Sequence, residues 1–159
     1  MSKAVPGGAA VMEAARAVME QRGCVQSFEA PGLVAAHMGF SRHSDTNVDR
    51  IQVESFDRKV SNAFYKMASA GDVVRAGRSE PGPDGVRKLH VRYWTHAAAE
   101  QARKEAAERT RASNELKAAW GEIRAELDRR GYVPGGAPYH SPSLSIDDWQ
   151  HLLQLGDTK

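Results

Sequence analysis

The residues of this chain that could do chemistry are six histidines, one cysteine, two glycine pairs and one adjacent pair of aspartates, and spacing decides what each can do. Zinc ligation calls for cysteines and histidines a few residues apart in repeated pairs. His37 and His43 are six apart and Cys24 stands alone, so they read as surface or half-buried imidazoles and a small core thiol. A phosphate-cradling loop needs glycines leading into a lysine at a helix start. Gly7-Gly8 and Gly135-Gly136 instead lie in apparent linkers. Asp147 and Asp148 are paired in sequence alone, because successive helical residues point about 100° apart, and the first turn of a helix suits both. His90 and His96 show no sign of a switch built around them. The residues offer no catalytic set, so the expectation is a protein that is not an enzyme and takes no metal and no cofactor.

The 159 residues amount to one domain with room for an extended appendage. A net charge of +2 and a pI near 8.8 describe a mildly basic chain, so any preference for an anionic partner must come from how charge is distributed. A lone cysteine excludes an intramolecular disulfide and fits a reducing compartment. No stretch approaches the roughly 20 apolar residues of a membrane span. The start, Met-Ser-Lys-Ala-Val-Pro-Gly-Gly, has no long apolar run after its lysine, and the expected location is cytoplasmic.

The elements that must position the polar residues follow from periodicity. Val11, Ala15 and Val18, with Met12 and Met19 beside them, predict a helix over 9–22 that Gly23 ends. Val25 to Phe28 is a short strand-like run, and Pro31 suits the first turn of a second helix carrying Leu33, Val34 and Met38 to a stop at Gly39. Residues 40–55 read as an irregular insertion, with Thr46 and Asp49 capping a helical turn through Val48 and Ile51. A third helix over about 56–70 sets Phe56, Val60, Ala63, Phe64 and Met67 on one face and Arg58, Asn62, Tyr65 and Ser69 on the other. A hairpin follows: Val73 to Arg78, a tip around Pro81, Pro83 and Asp84-Gly85, then Val86 to Trp94 with Leu89, Val91 and Tyr93 alternating against Lys88, His90 and Arg92. From Ala97 to about Arg130 the chain is proline-free and rich in Ala, Glu, Lys and Arg, which predicts one long helix. The fold class expected is mainly α with a small β-hairpin.

The order helix, strand, helix, helix, hairpin resembles a winged helix-turn-helix domain. The segment from Val60 to Gly77 looks like a recognition helix running into the first wing strand of bacterial winged-helix regulators. Leu89 to Thr95 followed at once by a long helix is similar in layout to the MarR-like and PadR-like groups. The resemblance implies double-stranded DNA as partner, and the charges agree with it: from Phe56 to His96 eight cations face four anions, a net of +4, while the remaining residues carry −2. In the major groove Arg pairs with guanine and Asn with adenine, which makes Arg58 and Asn62 the base-reading candidates. Lys59, Ser61, Tyr65 and Lys66 flank them as phosphate contacts, and Arg78, Arg87 and Lys88 of the wing would reach adjacent backbone or minor groove. A winged helix that binds protein instead of DNA stays open beside this.

Leu116, Trp120, Ile123 and Leu127 recur at spacings of four, three and four, the seam of a short coiled coil, and pairing with a second copy to form a homodimer is favoured over folding back. Glycines and prolines make 131–144 a linker, after which Ser145 can cap a short amphipathic tail helix over 145–159 with Ile146, Trp149, Leu152 and Leu153 on one side. The organisation expected is a flexible N-terminus 1–8, a winged helix-turn-helix domain 9–96, a dimerisation helix 97–130, the linker and the tail. The function expected is sequence-specific DNA binding in transcription regulation. The alternative is a phage- or plasmid-type adaptor that recruits or blocks a partner protein through its C-terminal segment.

Overall fold

A computed structural model describes residues 4–43, 46–129 and 146–155. It divides into two units, Met1–Ala106 and Ala107–Lys159. In the first unit helix α1 (Gly8–Arg22), strand β1 (Cys24–Gln26), helices α2 (Ala30–Met38) and α3 (Asn47–Ala70) and strands β2 (Val74–Ala76) and β3 (Arg92–Trp94) lead into helix α4, which spans His96–Arg129 and continues into the second unit. Helix α5 (Ile146–Leu155) lies in the second unit. The protein is thus mainly helical, with a small antiparallel sheet of three strands in the order β1-β3-β2.

Helices α1, α2 and α3 pack on one another because each carries one apolar stripe. Val11, Ala15, Val18 and Met19 of α1 meet Val34 of α2 and Phe56, Val60, Phe64 and Met67 of α3 in a single core. Phe40 stacks on Phe56 with centroids 4.4 Å apart, and Tyr93 of β3 leans on Phe64 at 5.1 Å. The sheet is covered on both faces, which is why the consecutive residues Tyr93 and Trp94 are both buried. Tyr93 faces the three-helix core. Trp94, flanked in register by Cys24 and Val74, packs with Ala98, Ala99 and Ala102 at the start of α4.

Gly23 makes the corner between α1 and β1 at a φ of +67°. Its carbonyl accepts from Thr95 N at 2.8 Å, and a Cβ there would stand 3.2 Å from the Ala98 methyl, so the close seat of α4 against this corner needs glycine. Thr95 Oγ1 then accepts from Ala98 N at 3.2 Å and starts α4.

Two expectations are corrected. The described residues of 40–55 are mostly helical: α3 begins at Asn47 and runs 24 residues, started by a capping box in which Thr46 Oγ1 accepts from Asp49 N and the Asp49 carboxylate accepts from Thr46 N. The turn through Val48 and Ile51 is present as expected, but it is continuous with the helix that carries Phe56; at 61% and 65% exposed the two residues lie outside the buried stripe that begins at Phe56. Arg42, bidentate on Asp57, ties the preceding loop to the helix. The second hairpin arm is a strand over 92–94 and not from Val86, and its expected alternation inverts at one pair, Lys88 being buried and Leu89 80% exposed, while His90 is exposed and Val91 and Tyr93 pack on the core as expected. The cause is the turn from Gly82 to Lys88. Gly82 N donates to Val86 O, Gly85 N donates to Gly82 O, and the Asp84 carboxylate collects both Val86 N and Lys88 Nζ. This local network overrides the two-residue period of an extended strand.

Candidate nucleic-acid interface

The capping box and the buried stripe together fix how α3 presents its other side. Arg58, Ser61, Asn62, Tyr65 and Lys66 are all exposed, directly opposite Phe56, Val60, Ala63 and Phe64. Lys59 is half-buried and donates to Pro6 O at 2.8 Å, which anchors the chain entering α1. Together with Gly8, Met12, Asn62, Ala63 and Lys66 it lines a cleft of about 240 Å³ between the start of α1 and α3. Six of the nine expected DNA-contacting residues therefore share one helix face and its edge.

The hairpin residues divide. Arg78 and Arg87 are exposed, and Arg78 Nε donates to Leu89 O at 2.7 Å, joining the two hairpin arms. Lys88 does not face outward: 9% exposed and 2.5 Å from Asp84 Oδ2, it is a structural partner and not a surface cation. Partial burial pushes the Asp84 carboxyl up, but the hydrogen bonds from Lys88 and the Val86 amide outweigh it and leave the group below its ordinary value. Burial pushes the Cys24 thiol above its ordinary value, against the pull of Arg92 and Lys88, so Cys24 is a protonated wall residue of the sheet.

Ion pairing sharpens the charge on this surface. Of the four carboxylates between Phe56 and His96, Asp57 is held by Arg42, Asp72 by Arg16 and Asp84 by Lys88. Arg58, Lys66, Arg75, Arg78 and Arg87 remain as exposed cations along α3 and the hairpin. His96 Nε2 stands 2.8 Å from Gly71 O and joins the beginning of α4 to the end of α3. Sequence reasoning missed Arg75 and Leu89 as surface features; the first lay inside a strand-like run and the second at an expected core position. Among the described residues no cluster of His, Cys, Asp or Glu could hold a metal ion.

In the second unit Ile123 and Leu127, two of the four expected seam residues, are already 3% and 9% exposed within the single chain. Leu116 is 54% exposed and Trp120 half-buried. Two of the four seam residues are thus covered within the single chain. The linker 131–144 lies outside the described residues, as do the side chains of Trp149, Leu152 and Leu153. Ile146 is half-buried, and α5 itself begins where Ser145 was expected to cap it. No helix among the described residues is long and apolar enough to cross a membrane. Comparison with known protein families, with characterised proteins and with solved structures gives no match to this chain.

Proposed function

We propose that the chain is a winged helix-turn-helix protein that binds double-stranded DNA sequence-specifically and regulates transcription. One observation carries the reading: α3 buries one stripe completely and turns Arg58, Asn62, Tyr65 and Lys66 outward, beside a hairpin whose exposed ionic groups are mostly cations. A helix of this width fits the major groove, where a guanidinium and a carboxamide are the side chains that distinguish guanine and adenine by paired hydrogen bonds. Lys59, Ser61 and Lys66 at its edges and Arg78 and Arg87 on the wing then take phosphates, which fixes register. The sheet order β1-β3-β2, with the hairpin following α3 directly, supports the winged reading because it sets the wing beside the helix.

The protein works as a homodimer in this proposal, through a contact centred on the exposed stretch of α4 that includes Leu116, with Ile123 and Leu127 supporting the helix from within the chain. Selection of binding sites from a random duplex pool tests the function. A recovered consensus whose affinity falls steeply with salt supports it, and failure to enrich any sequence overturns it.

A further inference from the structure

Leu89 is the most exposed of the described large hydrophobic residues, next to a lysine that is buried. A chain that relaxed freely would exchange the two, since desolvating an ammonium and solvating a leucine are both unfavourable. The inversion is held by a dense local network. Lys88 is neutralised by Asp84, Asp84 also accepts from Val86 N, and Gly82 closes the turn onto Val86 O. A Cβ at Gly82 would come within 2.8 Å of Asp84 Oδ1, so any other residue there would have to displace the carboxylate that holds Lys88. The far side is pinned as firmly: Arg78 Nε donates to Leu89 O, Ser27 N donates to Val91 O, and the Phe28 ring meets His90 edge-on at 5.5 Å. A rigid arm therefore holds Leu89 out in solvent.

The surroundings of Leu89 say what it fits. The exposed ionisable residues on the arm are Arg78, Arg87 and His90, with Glu80 as the exposed acid, because Asp84 is half-buried and paired with Lys88. An apolar tip flanked by guanidinium groups matches the minor groove of DNA, where apolar side chains enter between base steps while cations hold the bordering phosphates. A protein groove would have to supply both an apolar slot for the leucine and carboxylates for the arginines, whereas every step of a duplex offers a stack to enter with phosphates on either side. Building on the DNA-binding reading above, we propose that Leu89 is a wedge that enters the minor groove beside the α3 site, partly unstacks one base step and bends the duplex, with Arg78 and Arg87 on the flanking phosphates. Unstacking is easiest at pyrimidine–purine steps, so the bound site carries one under the wing.

The test uses the full chain and a duplex recovered by selection, with 2-aminopurine placed in turn at each position flanking the α3 site and a dye pair on the duplex ends. The wild type is expected to raise 2-aminopurine fluorescence at one step and to shorten the end-to-end distance. Leu89→Ala, at an exposed position, is expected to keep the melting temperature and the base preference set by α3 while losing the fluorescence rise, the bend and the preference for a pyrimidine–purine step. A wild-type complex that is straight and stacked at every position overturns the wedge and leaves DNA binding standing. A Leu89→Ala complex bent like the wild type also overturns it. So does a variant whose DNA complex is unchanged but whose self-association in sedimentation is lost, because the leucine then meets a second copy. Failure of the wild type to bind any duplex overturns the DNA reading first and the wedge with it.

Discussion

Arg58 and Asn62 lie one helical turn apart on the outward face of α3, where each is free of the apolar core and oriented by a helix that cannot rotate without exposing Phe56 and Phe64. Replacing either by Ala is expected to cost about 1–3 kcal/mol on the preferred duplex and to relax preference at one or two base pairs. Arg78→Ala is expected instead to weaken all sequences alike and to lower the salt slope by about one, measured by titration at several salt concentrations. Lys88 belongs to a different class. Removing its partner by Asp84→Asn leaves a buried ammonium uncompensated and is expected to cost about 3 kcal/mol of stability. The Asp84 carboxyl sits below its ordinary value in the folded protein, so the stability it contributes is present above the unfolded pKa of about 4 and is lost as pH falls through the folded value. Thermal melts of wild type and Asp84→Asn across acid pH are therefore expected to converge below pH 4, and parallel curves at all pH values would contradict this role.

The element that decides the architecture is α3, at 24 residues far longer than its buried stripe. Its first turns hold no buried large side chain before Phe56, so they depend on the capping box and on Arg42 holding Asp57. Thr46→Ala is expected to cost about 1 kcal/mol and to speed amide exchange in the turns around Val48 and Ile51, with the turns around Val60 unchanged. The hairpin is the opposite case. Its strands are three residues each, and its persistence comes from Trp94 and Tyr93 being covered on both faces and from the Asp84–Lys88 turn. Short strands with this backing act as a rigid mount for the arm.

At the scale of the molecule, the first unit extends to Ala106, beyond the hairpin, because Ala99 and Ala102 close the sheet face that holds Trp94. A fragment ending at Ala106 is expected to melt cooperatively and one ending at Thr95 to lose that transition, as followed by circular dichroism. From Ala107 to Ala118 every residue of α4 is exposed, so this stretch has no apolar face packed within its own unit. Ile123→Ala is expected to destabilise the second unit by about 2–5 kcal/mol without changing sedimentation, whereas Leu116→Glu is expected to shift a dimer toward monomer. A wild-type chain that sediments as a monomer at micromolar concentration would remove the dimer.

Where a residue's role rests on local repetition, the amino-acid order determined it alone. The stripes of α1, α2 and the second half of α3, the glycines that end them, the Thr46–Asp49 cap, the long proline-free helix and the outward set Arg58, Asn62 and Tyr65 all follow from spacings of three and four, because a helix needs no distant partner to set its period. Burial that depends on what lies across the fold was decided by tertiary structure. Val48 and Ile51 look like core and are exposed because the described chain packs nothing over that turn. Tyr93 and Trp94 break alternation because helices cover both sides of a three-residue strand. Ile123 and Leu127 are buried within one chain where repetition alone could not choose between a second copy and the chain itself. Lys88 and Leu89 exchange their expected places because one carboxylate, brought four residues back by a glycine turn, stabilises a buried ammonium more than the strand period could.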